Sequence, residues 1–133
     1  SWILKVKSNI DNGSFRGIQL AAAEAMLNNT DEWHHENNIV NYRRRRDLAE
    51  EIMKVLDCQF DPNQVGMFLW GKIPEKYTDV EDLTEKILHE ARVFITPGFI
   101  FGSNGKRYIR ISLCAKDEKM KEALERIKKV FES

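Results

Sequence analysis

Tyr108-Ile109-Arg110-Ile111-Ser112-Leu113-Cys114 is the stretch on which the fold turns. Its alternation sends Ile109, Ile111 and Leu113 to one face of an extended strand, and Tyr108, Arg110 and Ser112 to the other. A strand that is apolar on one face needs a layer to cover that face, and the residues just downstream supply it. Met120, Ala123, Leu124, Ile127, Val130 and Phe131 fall on one stripe of an amphipathic helix. Just upstream, Gly102-Ser103-Asn104-Gly105-Lys106 reads as a hairpin turn. It lacks the full phosphate-loop pattern and leads into a strand, where a phosphate loop opens a helix.

Further upstream, Val93-Phe94-Ile95 reads as a second strand. Thr96-Pro97-Gly98 follows as a turn in which glycine supplies a positive φ. Thr78-Asp79-Val80-Glu81 has the form of a capping box, opening a helix with Leu83, Ile87 and Leu88 in the core. Val65 to Trp70 is a short apolar run of strand length, left through Gly71 and Pro74 and preceded by an Asp61-Pro62-Asn63 turn. Before that, Thr30 or Asp31 caps a helix reaching about Asp57, with Leu48, Ile52, Val55 and Leu56 on its apolar stripe. An Asp11-Asn12-Gly13-Ser14 turn, with Ser14 as N-cap, starts an earlier helix through Phe15, Ile18, Ala21, Ala22, Ala25 and Met26 to Asn28-Asn29. Its run of alanines implies close packing against neighbours. The chain therefore predicts an α/β (α+β) fold, with a short, mainly antiparallel sheet of about three strands packed by four helices.

The totals narrow the function classes. The 133 residues suffice for one domain, and Lys+Arg and Asp+Glu both number 21. A zero formal charge argues against nucleic acid as a partner. No apolar run reaches the roughly 20 residues of a membrane span. No signal peptide is indicated, and the Ser1-Trp2-Ile3-Leu4 start looks like a cut edge. Cys58 and Cys114 have no partnering pattern, so both read as free, buried thiols in a reducing, cytoplasmic setting.

Among chemistry-bearing residues, Arg43-Arg44-Arg45-Arg46 fans around a helix and cannot form one phosphate-reading strip. It reads as a face paired with Asp47, Glu50 and Glu51, a protein contact being the alternative. His34 and His35 are adjacent and so lack the i,i+4 spacing of a helical zinc pair; no metal site is expected. Arg110 has two readings, a solvated or ion-paired strand arginine or a planar fork for a carboxylate. Spacing alone does not choose between them.

Taken in order, several segments resemble one family. Lys7-Ser8-Asn9-Ile10-Asp11-Asn12-Gly13 with Phe15 and Ile18-Gln19-Leu20-Ala21, then Tyr42-Arg43-Arg44-Arg45-Arg46-Asp47, are similar to class I/II aminotransferases. So are Gly66-Met67-Phe68-Leu69-Trp70, Thr96-Pro97-Gly98 with Phe101-Gly102, and Tyr108 to Leu113. The resemblance covers the whole chain and implies the C-terminal small domain of a fold type I pyridoxal-phosphate enzyme. Residues 1–133 would be that domain, with 1–13 leading in from a large domain of the same chain.

The resemblance further implies transfer of an amino group between an amino acid and a 2-oxo acid, in a homodimer. Arg110 would bind the substrate α-carboxylate, and Asn9 would lie near the substrate. Phe101 and the Pro97-Gly98 turn would shape the pocket wall. The family's Schiff-base lysine, its aspartate for the pyridine nitrogen and its phosphate loop have no match here. No catalytic residue, bound pyridoxal phosphate or transaminase activity is therefore expected of the chain alone. A β-lyase or decarboxylase on the same fold, or a non-catalytic interaction domain, is the alternative. The Asn9-to-Gly13 start leans toward the diaminopimelate and aspartate-type branch.

Overall fold

In the computed structural model, which describes residues 1–10 and 15–132, the alternating stretch forms strand β3 (Tyr108–Ser112) at the centre of a three-stranded sheet. Strands β1 (Phe68–Lys72) and β2 (Thr96–Pro97) flank it, both antiparallel. The register sets Leu69 opposite Ile111 and Gly71 opposite Ile109. These four residues are buried, with Ile73 and Leu113 continuing the same face just beyond the strand ends. Gly71 is closely packed: a Cβ there would lie 2.5 Å from the Met53 sulfur and 3.3 Å from Cys58 Cβ, so Met53 would have to shift.

The covering layer comes from α4 (Tyr42–Val55), α5 (Val80–Lys86) and α6 (Asp117–Phe131). Ile52 and Met53 of α4, Leu83 of α5, and Leu124 and Ile127 of α6 are buried in one core with the strands. Leu88, expected in the core, is half-buried. It sits in a π-helical turn, Ile87–Ala91, whose wider winding rotates it off the stripe that carries Ile87. The capping box forms one residue later than expected. Asp79 is the N-cap, its carboxylate accepting from Glu81 N, and Asp82 returns the favour to Asp79 N. Both patterns overlap in the sequence; the aspartate wins because its full charge faces the positive end of the helix.

Two strand boundaries move. Pairing in β1 begins at Phe68 rather than Val65, because Gly66 at φ 92 breaks the extended run. The expected strand Val93–Ile95 is unpaired, and pairing falls on Thr96 and Pro97 of the expected turn. Arg92, left-handed at φ 56, ends the preceding turn, and Val93 N donates back to Ile87 O, so the chain meets β3 only at Thr96. Pro97, lacking an N–H, is tolerated because β2 is an edge strand. Gly98 does not have the positive φ expected of it; the positive-φ glycines among the described residues are Gly66 and Gly102.

The chain divides into two compact units, Ser1–Glu36 and Asn37–Ser133. The sheet and its helices belong to the second. The first holds α1 (Trp2–Ile10), a helix the sequence reading did not expect, then α2 (Arg16–Leu27) and α3 (Asp31–His34). Thr30 caps α3 by accepting from Trp33 N. A π-helical stretch, His35–Asn41, runs between α3 and α4. The expected Asp11–Ser14 turn, with Ser14 as cap, lies outside the described residues. The alanine-rich α2 is not packed closely; neither it nor α1 has a buried residue. Alanine allows close approach but buries too little surface to hold a neighbour by itself.

Cys58 is buried as expected, but Cys114 is exposed; both are free. Cys114 falls on the outward side of the alternation, with Tyr108, Arg110 and Ser112, two residues beyond the last paired residue of β3. Burial, with Asp57 adding to it, pushes the Cys58 thiol up from 9.0 to about 12, against a smaller opposing pull from Lys76. A thiol reagent at pH 8 should therefore modify Cys114 alone in the native protein and both cysteines in denaturant. Mass spectrometry showing native Cys58 labelled at a comparable rate would contradict this. Because the folded protein holds this proton more tightly, the contribution to stability is complete below pH 9 and falls as pH rises toward 12.

Candidate functional site

On the sheet face opposite the core, Trp70 and Thr96 both pair with Arg110, which therefore lies on the central strand with a neighbour on each side. Its guanidinium carbon is 4.1 Å from the Phe68 ring centre, 3.9 Å from that of Phe101 and 6.0 Å from that of Trp70. Trp70 and Phe101 meet edge to face, 5.4 Å apart. Arg110 Nε is buried and has no hydrogen-bond partner. Among the described residues, no carboxylate or carbonyl is bonded to this guanidinium. A half-buried cation packed on aromatic faces, without a counter-ion, is able to take one.

One cavity is lined by the Trp70 and Phe101 rings beside it, and another has Arg110 in its lining. The first, about 460 Å³, is lined by Trp70, Gly98, Phe101, Asn104, Gly105 and Tyr108. The other, about 280 Å³, has Arg110, Thr96, Ser112, Phe94 and Lys119 among its lining residues. Gly98 and Gly105 set the first wall: their backbones stack so closely that a Cβ on Gly98 would lie 2.5 Å from Gly105 O. Short 3-10 turns, Gly98–Phe101 and Ser103–Gly105, form that connection and carry Phe101 to Arg110.

Asn9 is in the other unit. It is exposed on α1, and its side-chain amide donates to Lys5 O at 2.9 Å. The arginine run is ion-paired, as expected, but only partly to its own helix. Arg43 meets Asp47, and Arg46 meets Glu50, whereas Arg44 and Arg45 share Asp117, at 3.2 and 3.0 Å. Arg45 also donates to Leu113 O, so the run ties α4 to the start of α6. His34 and His35 are exposed. No metal-holding group of His, Cys, Asp or Glu exists among the described residues.

Three positioning side chains were invisible in the sequence. Arg107 donates to the carbonyls of Tyr77, Thr78, Pro74 and Ile73. Gln64 clamps the free edge of β1 with both ends of its amide, accepting from Trp70 N at 2.9 Å and donating to Trp70 O at 2.7 Å. Asp117 is the third. None belongs to a periodic pattern, and no local signal marks the distant partners each one takes.

The residues around Arg110 do not fit pyridoxal phosphate. Lys119, which shares a cavity lining with Arg110, is exposed and paired with Glu122 at 3.1 Å, and neither cavity has an aspartate in its lining to meet a pyridinium nitrogen.

Fold and site thus define an α/β domain whose central strand offers an arginine on the sheet face away from the core. Residues 1–127 match the aminotransferase class I and II family, and the chain belongs to it. It is 36% identical over 124 residues to the LL-diaminopimelate aminotransferase of Halothermothrix orenii, covering 93% of this chain and 31% of that protein. A protein of Methanococcus jannaschii, whose active site is described as similar to kynurenine aminotransferases, superposes with a TM-score of 0.76 at 35% identity, covering 96% of this chain and 33% of that one. The aromatic aminotransferase of Pyrococcus horikoshii gives 0.73 at 30% identity, covering 86% and 31%. The chain spans about a third of the length of the relatives it matches. No helix among the described residues is long and apolar enough to cross a membrane.

Proposed function

We propose that residues 1–133 form the small domain of a pyridoxal-phosphate-dependent aminotransferase and that Arg110 grips the α-carboxylate of its substrates. The observation that carries this is the guanidinium held on aromatic faces with no counter-ion. Donor and acceptor in an amino-group exchange both bear that carboxylate, so one fixed fork serves both halves of the reaction. The reactive lysine and the cofactor cradle belong to the other two thirds of the protein, because the residues here do not compose them. Asn9 is assigned to the substrate side as well; its amide would first have to leave Lys5 O. The full-length protein is a cytoplasmic homodimer in this reading, and its donor is a diaminopimelate-like amino acid, a reading supported by the relatives' names.

The test is kinetic. Amino transfer to 2-oxoglutarate should be detectable in the full-length protein, and Arg110→Lys should raise KM about tenfold and lower kcat/KM accordingly, a point charge replacing a two-pronged grip. Unchanged constants would remove Arg110 from the site. Turnover without any need for 2-oxoglutarate would point to lyase or decarboxylase chemistry on the same fold.

A further inference from the structure

Resting on the reading of Arg110 as the carboxylate grip, we infer that Phe68 and Phe101 are positioning residues that fix the guanidinium plane and leave only its Nη edge for the ligand. A guanidinium offers a carboxylate two bidentate edges, Nη1/Nη2 end-on or Nε/Nη side-on. Here Nε is sealed from solvent without a partner. Both ring centres lie about 4 Å from Cζ, at 4.1 and 3.9 Å, and two rings that near do not fit on one face of a planar group that small. They hold it between them. The rings come from separate elements, Phe68 from β1 and Phe101 from the 3-10 turn after β2, so the clamp closes only when the sheet is assembled.

Arginine has several freely rotating bonds, and ordering them on binding reduces affinity. A guanidinium already flattened between rings avoids most of that loss. The rings also cannot compensate its charge as a carboxylate would, so the cation remains available. Trp70 supports the arrangement by its edge-to-face contact with Phe101.

The effect should appear in recognition of the carboxylate and not in the chemical step. In the full-length enzyme, Phe68→Leu and Phe101→Leu should each raise KM for the amino acid about tenfold, with kcat nearly unchanged. The corresponding amino-acid amide, which lacks the negative charge, should show no such rise. Phe101→Tyr keeps the ring face and should behave as wild type. Both phenylalanines are more than a third exposed, so truncation removes little core. Should a leucine variant still fail to fold, pentafluorophenylalanine at 101 retains the shape while inverting the ring quadrupole, and the same KM rise is expected.

Equal losses for acid and amide would mean general damage and overturn the clamp. So would unchanged KM in the Phe variants while Arg110→Lys is impaired, which leaves the grip intact. Unchanged KM in Arg110→Lys itself would remove the grip and the clamp together.

Discussion

Arg107→Ala should destabilise the Asn37–Ser133 unit by about 3 kcal/mol, as several charge-assisted hydrogen bonds to carbonyls are lost together. The side chain reaches from the start of β3 into the turn between β1 and α5. One Nη donates to Tyr77 O and Thr78 O at 2.5 and 3.0 Å, and the other to Pro74 O at 3.2 Å and Ile73 O at 3.5 Å. Ile73 N in turn donates to Arg107 O, so the turn and the strand are laced from both sides. Without the guanidinium, carbonyls gathered around one cation face each other with only water between them. The partial exposure of Arg107, 28%, keeps the loss from being larger, since water reaches part of the gap. Glu75, 83% exposed at 3.4 Å, adds little. Arg107→Lys should recover less than half, because one ammonium cannot address carbonyls on both prongs. The urea midpoint measures this, and a change below about 0.5 kcal/mol would show that the carbonyls are satisfied without the arginine.

Arg107 also marks where sequence reading stops. Both Arg107 and Arg110 are arginines near one strand, and pattern assigned the second to a face but was silent about the first. Period-2 alternation places Arg110 opposite Ile109 and Ile111 from local geometry alone. Arg107's role depends on a turn about 30 residues away in the chain, and nothing local encodes it. Asp117 is a similar case. As an acidic residue in the first turn of α6 it reads as a helix-dipole partner, yet it also bridges Arg44 and Arg45 from α4. The sheet and the stripes of α4, α5 and α6 were legible because each follows from periodicity and burial, and the antiparallel sense of β2 and β3 followed from the hairpin-like return between them. Strand ends were not, because they depend on backbone states at Gly66 and Arg92. For the site, the arginine was legible as a candidate through the order of motifs, while its aromatic packing was not, because the rings come from separate elements. Phe68 and Phe101 are 33 positions apart and reach the same guanidinium only through the register that sets Trp70 and Thr96 on either side of Arg110.

The Gly98–Gly105 contact is where fold and site depend on the same atoms, and Gly98→Ala should cost about 3 kcal/mol through overpacking. The added methyl would sit 2.5 Å from Gly105 O and 2.7 Å from Tyr108 O, both backbone atoms that cannot rotate away, and 3.1 Å from the Trp70 ring. Relief requires the two 3-10 turns to separate. That carries Phe101 away from Arg110 and opens the edge contact with Trp70. Two signals should therefore move together: the unfolding midpoint falls, and the near-ultraviolet circular dichroism from the Trp70–Phe101 pair weakens. Gly66→Ala provides the contrast. Nothing lies within 4 Å of its Cβ position, but its φ of 92 disfavours any side chain, so it should lose stability through backbone strain while leaving the aromatic signal intact. If Gly98→Ala keeps both its midpoint and its aromatic signal, the turns have room to spare, and Phe101 is not held against Arg110 by the backbone contact behind it.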